Sequence, residues 1–449
     1  PAGVGVVRIS GPEAFTIGER IVRTKVRISL QPHATLRRME VVERDSGEII
    51  DDGLVAVFQS PNSFTGENVV ELQGHGGSVT LSRVLHAALS AGARMARPGE
   101  FSERAFVNGK LDLAQAEAVA SLISAQTVTA QRAARRQLSG ALSQAVTQAT
   151  TAIGDALARI EASIDFPEDV GELLTDPDAT AVVEDALSRA HAIAVRLLST
   201  AAYGERLSNG VTLVLAGRPN VGKSSLLNAL AGRDRAIVSP VAGTTRDVVE
   251  ESLNIGGIPV RALDTAGIRE TGDAVERIGV DRARAAVLDA DVIIAVLDGT
   301  AGITQDDREF LQSLAGRAVV VAVNKADLRD ASGVVQDAQD ALPEAPIVAV
   351  AARTGAGLPE LSTALLSHLT NKETVDTNAP LVTSARHSDA LRRATASLGM
   401  ALSTLRDGMP AELIAVDAHA AIAALGEITG QTAREDIIAG IFSRFCIGK

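Results

Sequence analysis

The 449-residue sequence predicts a multidomain protein joining α/β parts to an all-α part, on three observations. At about 150 residues per domain, the length implies about three domains. The first 110 residues or so hold short β-favouring runs between turn signals, whereas residues 112–202 are rich in Ala, Leu, Gln and Ser. From Val211 short apolar runs alternate with helical stretches, the mark of a largely parallel sheet covered on both faces.

Composition narrows the function. Hydrophobic residues make up 46% and charged residues 22%, which fits a globular chain and not a disordered one. With nine Phe, one Tyr and no Trp, the cores must be aliphatic, and broad aromatic platforms for nucleic acid are not expected. The net charge of −12 argues against a generic phosphate-coating protein. Within residues 20–38, however, Arg20, Arg23, Lys25, Arg27, Arg37 and Arg38 occur with no acid between them. A solvated face is the favoured reading of that run, with RNA contact as the alternative. Cys446 is the single cysteine, so no intrachain disulfide can form and a reducing cytoplasm is expected. No charged n-region opens the chain and Arg8 interrupts the first apolar run, so no signal peptide is expected. Apolar strings such as 292–297 are far too short to span a bilayer.

Taken in order, residues 4–9, 54–58 and 69–72 read as strands, with turns at Ser46-Gly47 and Pro61-Asn62-Ser63. Residues 82–90 read as a helix. Gly74, Gly76 and Gly77 surround His75, where a small backbone lets a ligand approach closely. This α+β domain spans 1–111. Asp112 is a helix N-cap, and Leu113, Ala116, Ala120 and Ile123 recur at helical spacing. Pro167 and Pro177 divide a first helical part, 112–208, and the acidic stretch 165–185 reads as solvated surface. Buried strands are expected at Val211–Ala216 and at 258–263, 292–297, 319–323 and 347–350, within an α/β domain at 209–371. Gly256-Gly257 suggests a hairpin between 253–255 and 258–260. Residues 370–378 read as a linker, and a second helical part, 372–449, completes a helical domain that the α/β domain interrupts.

The chemistry concentrates at Gly217-Arg218-Pro219-Asn220-Val221-Gly222-Lys223-Ser224, a G-x-x-x-x-G-K-S string between a strand and a helix. Such a loop converges backbone N–H groups on phosphate oxygens, and the helix N-terminus adds a favourable dipole. Asn220, Val221, Gly222, Lys223, Ser224 and Ser225 are therefore expected to bind phosphates, with Lys223 reaching the β- and γ-phosphates and Ser224 ligating Mg²⁺. Gly243-Thr244-Thr245-Arg246-Asp247 follows, and Thr245 completes the Mg²⁺ shell when GTP is bound. Asp264-Thr265-Ala266-Gly267 ends a strand, where Asp264 holds Mg²⁺ through water and the Gly267 N–H reads the γ-phosphate. Asn324-Lys325-Ala326-Asp327 ends another, and the Asp327 carboxylate can accept both guanine N1–H and the exocyclic amine. Adenine lacks both donors, which leaves the carboxylate unpaired at a cost of about 1–3 kcal/mol. In this order and at strand ends, the strings define a Ras-like P-loop G domain that binds GTP. Ile268 stands where Ras-like enzymes place a water-orienting Gln, so hydrolysis needs another device. Asp273 and Glu276 are nearby carboxylates, and a surface charge is the first reading of Glu276.

Further strings lie outside this domain: Pro61-Asn62-Ser63-Phe64-Thr65-Gly66-Glu67, Glu71-Leu72-Gln73-Gly74-His75-Gly76-Gly77, Arg97-Pro98-Gly99-Glu100-Phe101-Ser102-Glu103-Arg104-Ala105-Phe106, Lys110-Leu111-Asp112-Leu113-Ala114-Gln115-Ala116-Glu117-Ala118, and the terminal Phe445-Cys446-Ile447-Gly448-Lys449. With the nucleotide motifs, they resemble the MnmE (TrmE) family of bacterial tRNA-modification GTPases over essentially the whole chain. That resemblance implies a folate-binding, aminomethyltransferase-like N-terminal domain that also dimerises, and a helical domain discontinuous around the G domain. It implies GTP hydrolysis coupled to C5 modification of the tRNA wobble uridine, giving aminomethyl or carboxymethylaminomethyl groups. The implied one-carbon source is a 5-formyl- or methylene-tetrahydrofolate. The implied assembly is a homodimer that joins the FAD-dependent MnmG in a heterotetramer or larger complex, with tRNA and without a membrane.

Carried over position by position, the folate contacts fall on Arg8, Glu71, Lys110 and Lys449. Arg8 and Lys110 suit the anionic glutamate tail, and Glu71 suits a pterin N–H. A K⁺ ion takes the place of an arginine finger, with Asn220, Ser239, Val241 and Thr244 at the ligand positions and Glu276 at the position of the catalytic glutamate. Cys446 falls on a functionally important cysteine; a prenylation signal fits poorly with Gly448 and Lys449, and a passive thiol is the remaining reading. Ala351 departs from the Ser usual in the family. The competing functions are a GTPase switch in ribosome assembly, a folate-dependent aminomethyl carrier without an RNA substrate, and a self-assembling dynamin-like GTPase.

Overall fold

A computed structural model describes residues 2–166, 168, 173–234, 236, 250–264, 287–370 and 379–445. Its chain falls into two compact units, Pro1–Ala120 with Gly426–Lys449, and Ser121–Leu425.

The first unit is built on a five-stranded sheet of β1 (Ala2–Ser10), β2 (Val22–Arg23), β3 (Thr35–Val42), β4 (Ile49–Phe58) and β5 (Val69–Gly76), in the order β1-β5-β4-β3-β2. Every neighbouring pair is antiparallel. Alternation along the strands sends Val7, Ile9, Met39, Val41, Val55, Val57, Val70 and Leu72 to one face, where they meet Ile17 and Ile21 of α1 (Ala14–Ile21) and Val84 and Ala88 of α2 (Ser78–Ser90). The intervening residues, Arg8 and Glu71 among them, take the other face. Strand β3 was not expected. It crosses the basic run, and its Arg37, Arg38 and Glu40 obscure the apolar alternation. All six basic residues of that run are exposed. Arg20 also donates to the Ala91 carbonyl at 2.6 Å, where α2 ends.

Helix α3 (Glu100–Val107) and α4 (Leu113–Ser124) follow. Asp112 Oδ1 accepts from Gln115 N at 2.8 Å while Gln115 Oε1 accepts from Asp112 N at 3.0 Å, a reciprocal cap that starts α4 as the sequence indicates. Leu113 and Ala116 are buried, but Ile123, placed on the same stripe by spacing, is exposed.

In the second unit, α5 (Val128–Leu138), α6 (Ala141–Asp165), α7 (Pro177–Ser199) and α8 (Ala201–Asn209) precede the α/β part. Asp176 caps α7 by accepting from Asp178 N and Ala179 N, with Pro177 at the first helical position, where a missing N–H costs nothing. Six strands form the second sheet: β6 (Val211–Ala216), β7 (Glu250–Ile255), β8 (Ile258–Asp264), β9 (Val292–Asp298), β10 (Val319–Asn324) and β11 (Ile347–Ala349). Their order is β11-β10-β9-β6-β8-β7, parallel except for the β7–β8 hairpin.

Helices α9 (Lys223–Arg233) and α12 (Leu358–Leu369) cover one face, packing on Leu213, Leu215, Ile294 and Val320. On the other face, α10 (Gln305–Ser313) and α11 (Ser332–Ala341) pack on Val214, Ile293, Val321 and Val323. Burial on both faces is why β9 and β10 read as continuous apolar runs up to their last residues. After the sheet, α13 (Ala385–Arg406) returns to α7, and Arg406 Nε donates to Glu184 Oε1 at 2.6 Å, so helices from both sides of the α/β part pack together. Helices α14 (Ala411–Thr429) and α15 (Glu435–Phe442) close the order. Among the described residues, no helix is long and apolar enough to cross a membrane.

Candidate active site

Strand β6 ends at Ala216 and α9 begins at Lys223, so residues 217–222 must reverse within one loop. Three of them hold left-handed backbone: Gly217 at φ 148°, Asn220 at φ 62° and Gly222 at φ 98°. Lys223 is buried, and its Nζ donates to the Gly217 and Arg218 carbonyls at 2.9 and 2.8 Å, folded over the loop it serves. The loop is also held from outside. Arg218 Nε lies 3.0 Å from Asp307 Oδ1, and Asp307 is buried in the capping box that starts α10 at Thr304.

Ser224 Oγ donates to Asp264 Oδ2, so the hydroxyl opening α9 and the carboxylate ending β8 share one point. Hydroxyl and carboxylate oxygens are the hard donors that Mg²⁺ takes, so the chemistry of these two side chains is compatible with that ion.

The guanine motif lies beside the loop. Asn324 is buried; its Nδ2 donates to Val221 O at 2.9 Å and its Oδ1 accepts from Ala352 N at 3.1 Å. Lys325 Nζ donates to Asn220 O at 2.9 Å and to Asp298 Oδ2 at 2.5 Å. Burial raises the Asp298 pKa, but hydrogen bonds from Lys325 and Thr300 outweigh it and hold the carboxyl below the usual range. Arg353 Nη2 lies 3.5 Å from Asp327 Oδ2. The structure thus brings together Asn220, Val221, Gly222, Lys223, Ser224, Ser225, Asp264, Asn324, Lys325 and Asp327. Ser239, Val241, Thr244, Thr245, Thr265, Ala266, Gly267, Ile268 and Glu276 lie outside the described residues. Asp298, Arg218 and Asp307 were not singled out from sequence. Their only local signal is that Asp298 directly follows the apolar run of β9.

In the first unit, the expected folate contacts Arg8 and Glu71 sit opposite each other in register on β1 and β5 and pair, with Arg8 Nε donating to Glu71 Oε1 at 2.8 Å. The Arg8 guanidinium also lies 5.6 Å from the centre of the Phe101 ring. Lys110 is exposed, its stem against Gly66. Behind this pair runs an ion network missed from sequence. Buried Glu100 accepts from Arg94, from Arg97 N at 2.8 Å and from Arg104 Nη2 at 2.8 Å. The Arg94 hydrogen bond, helped by those of Arg97 N and Arg104, outweighs burial and holds the Glu100 carboxyl well below its usual range. Phe442 and Phe445 pack with Phe106, Leu113 and Ala116 of the same unit. Cys446 and Lys449 lie outside the described residues.

His75, in the glycine cluster, has its Nδ1 2.7 Å from Asp51 Oδ1, and that hydrogen bond, with the Asp51 charge, raises the imidazole pKa. A raised folded-state pKa stabilises the fold fully below the ordinary value of about 6.5, and this contribution is lost as pH rises through the raised value. The imidazole resonance of His75 is expected to titrate above its ordinary range and to return to it in Asp51→Asn. An unshifted titration in the unmodified chain would refute the pairing.

The chain matches the family description "GTP-binding protein TrmE N-terminus" over residues 1–110 and "MnmE helical domain" over residues 113–446. It is 45% identical to "tRNA modification GTPase MnmE" of Symbiobacterium thermophilum, covering 100% of this chain and 96% of the relative. Identity to the protein of the same name from Moorella thermoacetica is 43%, again over 100% of this chain and 96% of the relative. Among solved structures, a single-residue variant of Aquifex aeolicus Era bound to GDP·AlF4⁻ is 30% identical over 42% of this chain and 67% of its own, with a TM-score of 0.30. Full-length identity of this size to the curated relatives, on top of the nucleotide loop, means that the chain belongs to the MnmE family of tRNA modification GTPases.

Proposed function

We propose that this GTPase is stimulated by K⁺, requires Mg²⁺, and acts in the cytoplasm on the C5 position of the tRNA wobble uridine with a tetrahydrofolate one-carbon unit. It works as a homodimer with the FAD-dependent partner MnmG in a heterotetramer or larger complex. The observation that carries the GTPase centre is the meeting of Ser224 and Asp264 at the start of α9, directly behind the left-handed loop. The proposed division runs 1–111 for folate and dimerisation, 112–208 and 372–449 for the helical domain, and 209–371 for the G domain.

In this reading Lys223 leaves the Gly217 and Arg218 carbonyls and engages the β- and γ-phosphates, while Ser224 and Thr245 hold Mg²⁺. Thr265, Ala266 and Gly267 border the γ-phosphate. Since Ile268 has no group to orient water, Glu276 orients it through a second water. Asn220, with Ser239, Val241 and Thr244, holds the monovalent cation, which when bound supplies positive charge against that developing on the phosphates. Arg8 and Lys110 receive the folate glutamate tail; Arg8 keeps donors beyond those given to Glu71, since guanidinium carries five. Glu71 receives the pterin. Phe445 is buried in the unit that holds Arg8, and Cys446 follows it directly in sequence, which supports Cys446 and Lys449 acting there.

Hydrolysis is expected to run at least about tenfold faster in K⁺ than in Na⁺ at matched ionic strength, from stabilisation of phosphate charge. Glu276→Ala is expected to keep GTP affinity and lower kcat by about 10²-fold or more. Equal rates in both salts would remove the cation, and near-normal turnover would remove Glu276. Nucleoside mass spectrometry of tRNA from cells lacking the protein tests the substrate: an unchanged wobble uridine would overturn that part.

A further inference from the structure

Strands β9 and β10 run parallel with Asp298 in register with Asn324, so the residue that ends one strand lies beside the start of the guanine motif on the other. The Asp298 side chain is 14% exposed, and both of its oxygens are used. Oδ1 accepts from Thr300 N at 2.9 Å and from Thr300 Oγ1 at 2.6 Å, which fixes the plane of the carboxylate. Oδ2 takes the Lys325 ammonium at 2.5 Å, and the same ammonium donates to the Asn220 carbonyl at 2.9 Å. Lys325 and Asn220 are both non-glycine residues in left-handed backbone, at φ 65° and φ 62°. Such backbone persists only where surrounding contacts over-determine it. Two side chains bridge the guanine motif to the phosphate loop, Asn324 to Val221 O and Lys325 to Asn220 O. Asn324 is locked by its own amide, whose second arm holds Ala352 N. Lysine has a flexible four-carbon stem and a point charge, so it needs an outside group to hold its direction. That group is Asp298.

We propose that Asp298 is a positioning residue for nucleotide binding: through Lys325 it holds the Asn220 carbonyl, and so the phosphate loop, in register with the base-reading motif. It touches neither base nor phosphate, and its effect reaches the nucleotide only along the line Asp298–Lys325–Asn220. The proposal rests on the GTPase reading of the site and goes beyond it by joining base recognition to the loop geometry. Loss of the carboxylate charge frees the ammonium, lets Asn220 leave its left-handed conformation and misaligns the loop N–H groups before nucleotide arrives. Affinity suffers directly, and the chemical step in K⁺ suffers with it, because Asn220 also serves the proposed cation.

The test is a set of variants of the full chain. Asp298→Asn keeps the shape and the acceptor for Thr300 while removing the charge. It is expected to weaken GDP and GTP binding about tenfold, the effect of losing one charge-assisted hydrogen bond. Affinity is read with GDP, where no turnover occurs, so that the loss is separated from any effect of Asn220 on the proposed cation. Lys325→Met should weaken binding at least as much, and Asp298→Asn should add nothing in that background, as a double-mutant cycle requires of residues acting in series. A thermal melt and circular dichroism of each variant separate a folding defect from a binding one. Unchanged nucleotide affinity in folded Asp298→Asn, or full additivity of the two substitutions, overturns the proposal. If the unmodified chain does not bind GDP, the GTPase reading fails and takes this proposal with it, an outcome distinct from binding that is insensitive to Asp298.

Discussion

Asp327→Asn is expected to lose about 10³-fold in GTP affinity and to prefer xanthosine triphosphate, because two charge-assisted hydrogen bonds of about 2 kcal/mol each would be exchanged. Asp327 follows the end of β10 by three residues, in the loop that Lys325 and Asn324 tie to the phosphate loop. Its partner Arg353 is 82% exposed and 3.5 Å away, a pair too solvated to hold the carboxylate from a ligand. The carboxylate offers acceptors alone, matching the two neighbouring N–H donors of guanine. An amide offers one acceptor and one donor, and xanthine, with a carbonyl in place of the exocyclic amine, complements that pair. Competition binding with GTP and xanthosine triphosphate decides the matter: a GTP preference that survives the substitution would sink the assignment of Asp327 to the base.

Gly222→Ala is expected to cost about 3 kcal/mol in the nucleotide loop, or about 10²-fold in affinity, from two sources. Gly222 sits at φ 98°, which an alanine adopts only with strain. The added Cβ also falls inside contact distance of Asn324 Nδ2. A side-chain end would ordinarily move aside, but this one is buried and held between Val221 O and Ala352 N. Moving it breaks both bridges. The control is Gly232→Ala in the same helix, where a Cβ meets nothing within 4 Å and the backbone needs no positive φ. That variant should bind GDP normally and melt at an equal or higher temperature. Equal GDP affinities for the two variants would contradict the argument.

Legibility followed burial and contiguity. The Val211–Ala216 strand was readable to the residue, because burial on both faces leaves a run that is apolar but for Thr212. Gly256-Gly257 marked the β7–β8 hairpin, whose register pairs Ile255 with Ile258. Strand β3 was not readable: only Met39, Val41 and Val42 of its eight residues are buried hydrophobics, and three of the others are charged. Ile123 misled in the opposite direction. Helical spacing places a residue on a stripe but cannot say where the neighbouring surface ends, and α4 has run past its core by that position.

The same division holds at the sites. The sequence by itself determined the nucleotide chemistry, because the loop, its lysine and its hydroxyl lie within eight consecutive residues whose local backbone does the work. It likewise carried the resemblance to the family, whose motifs are contiguous strings. Tertiary structure decided what holds those residues in place: Asp298 on Lys325, Asp307 on Arg218, and Arg8 opposite Glu71. These partners come from different strands and helices. Their pairing depends on strand order and register, which packing of distant segments selects and no local spacing encodes.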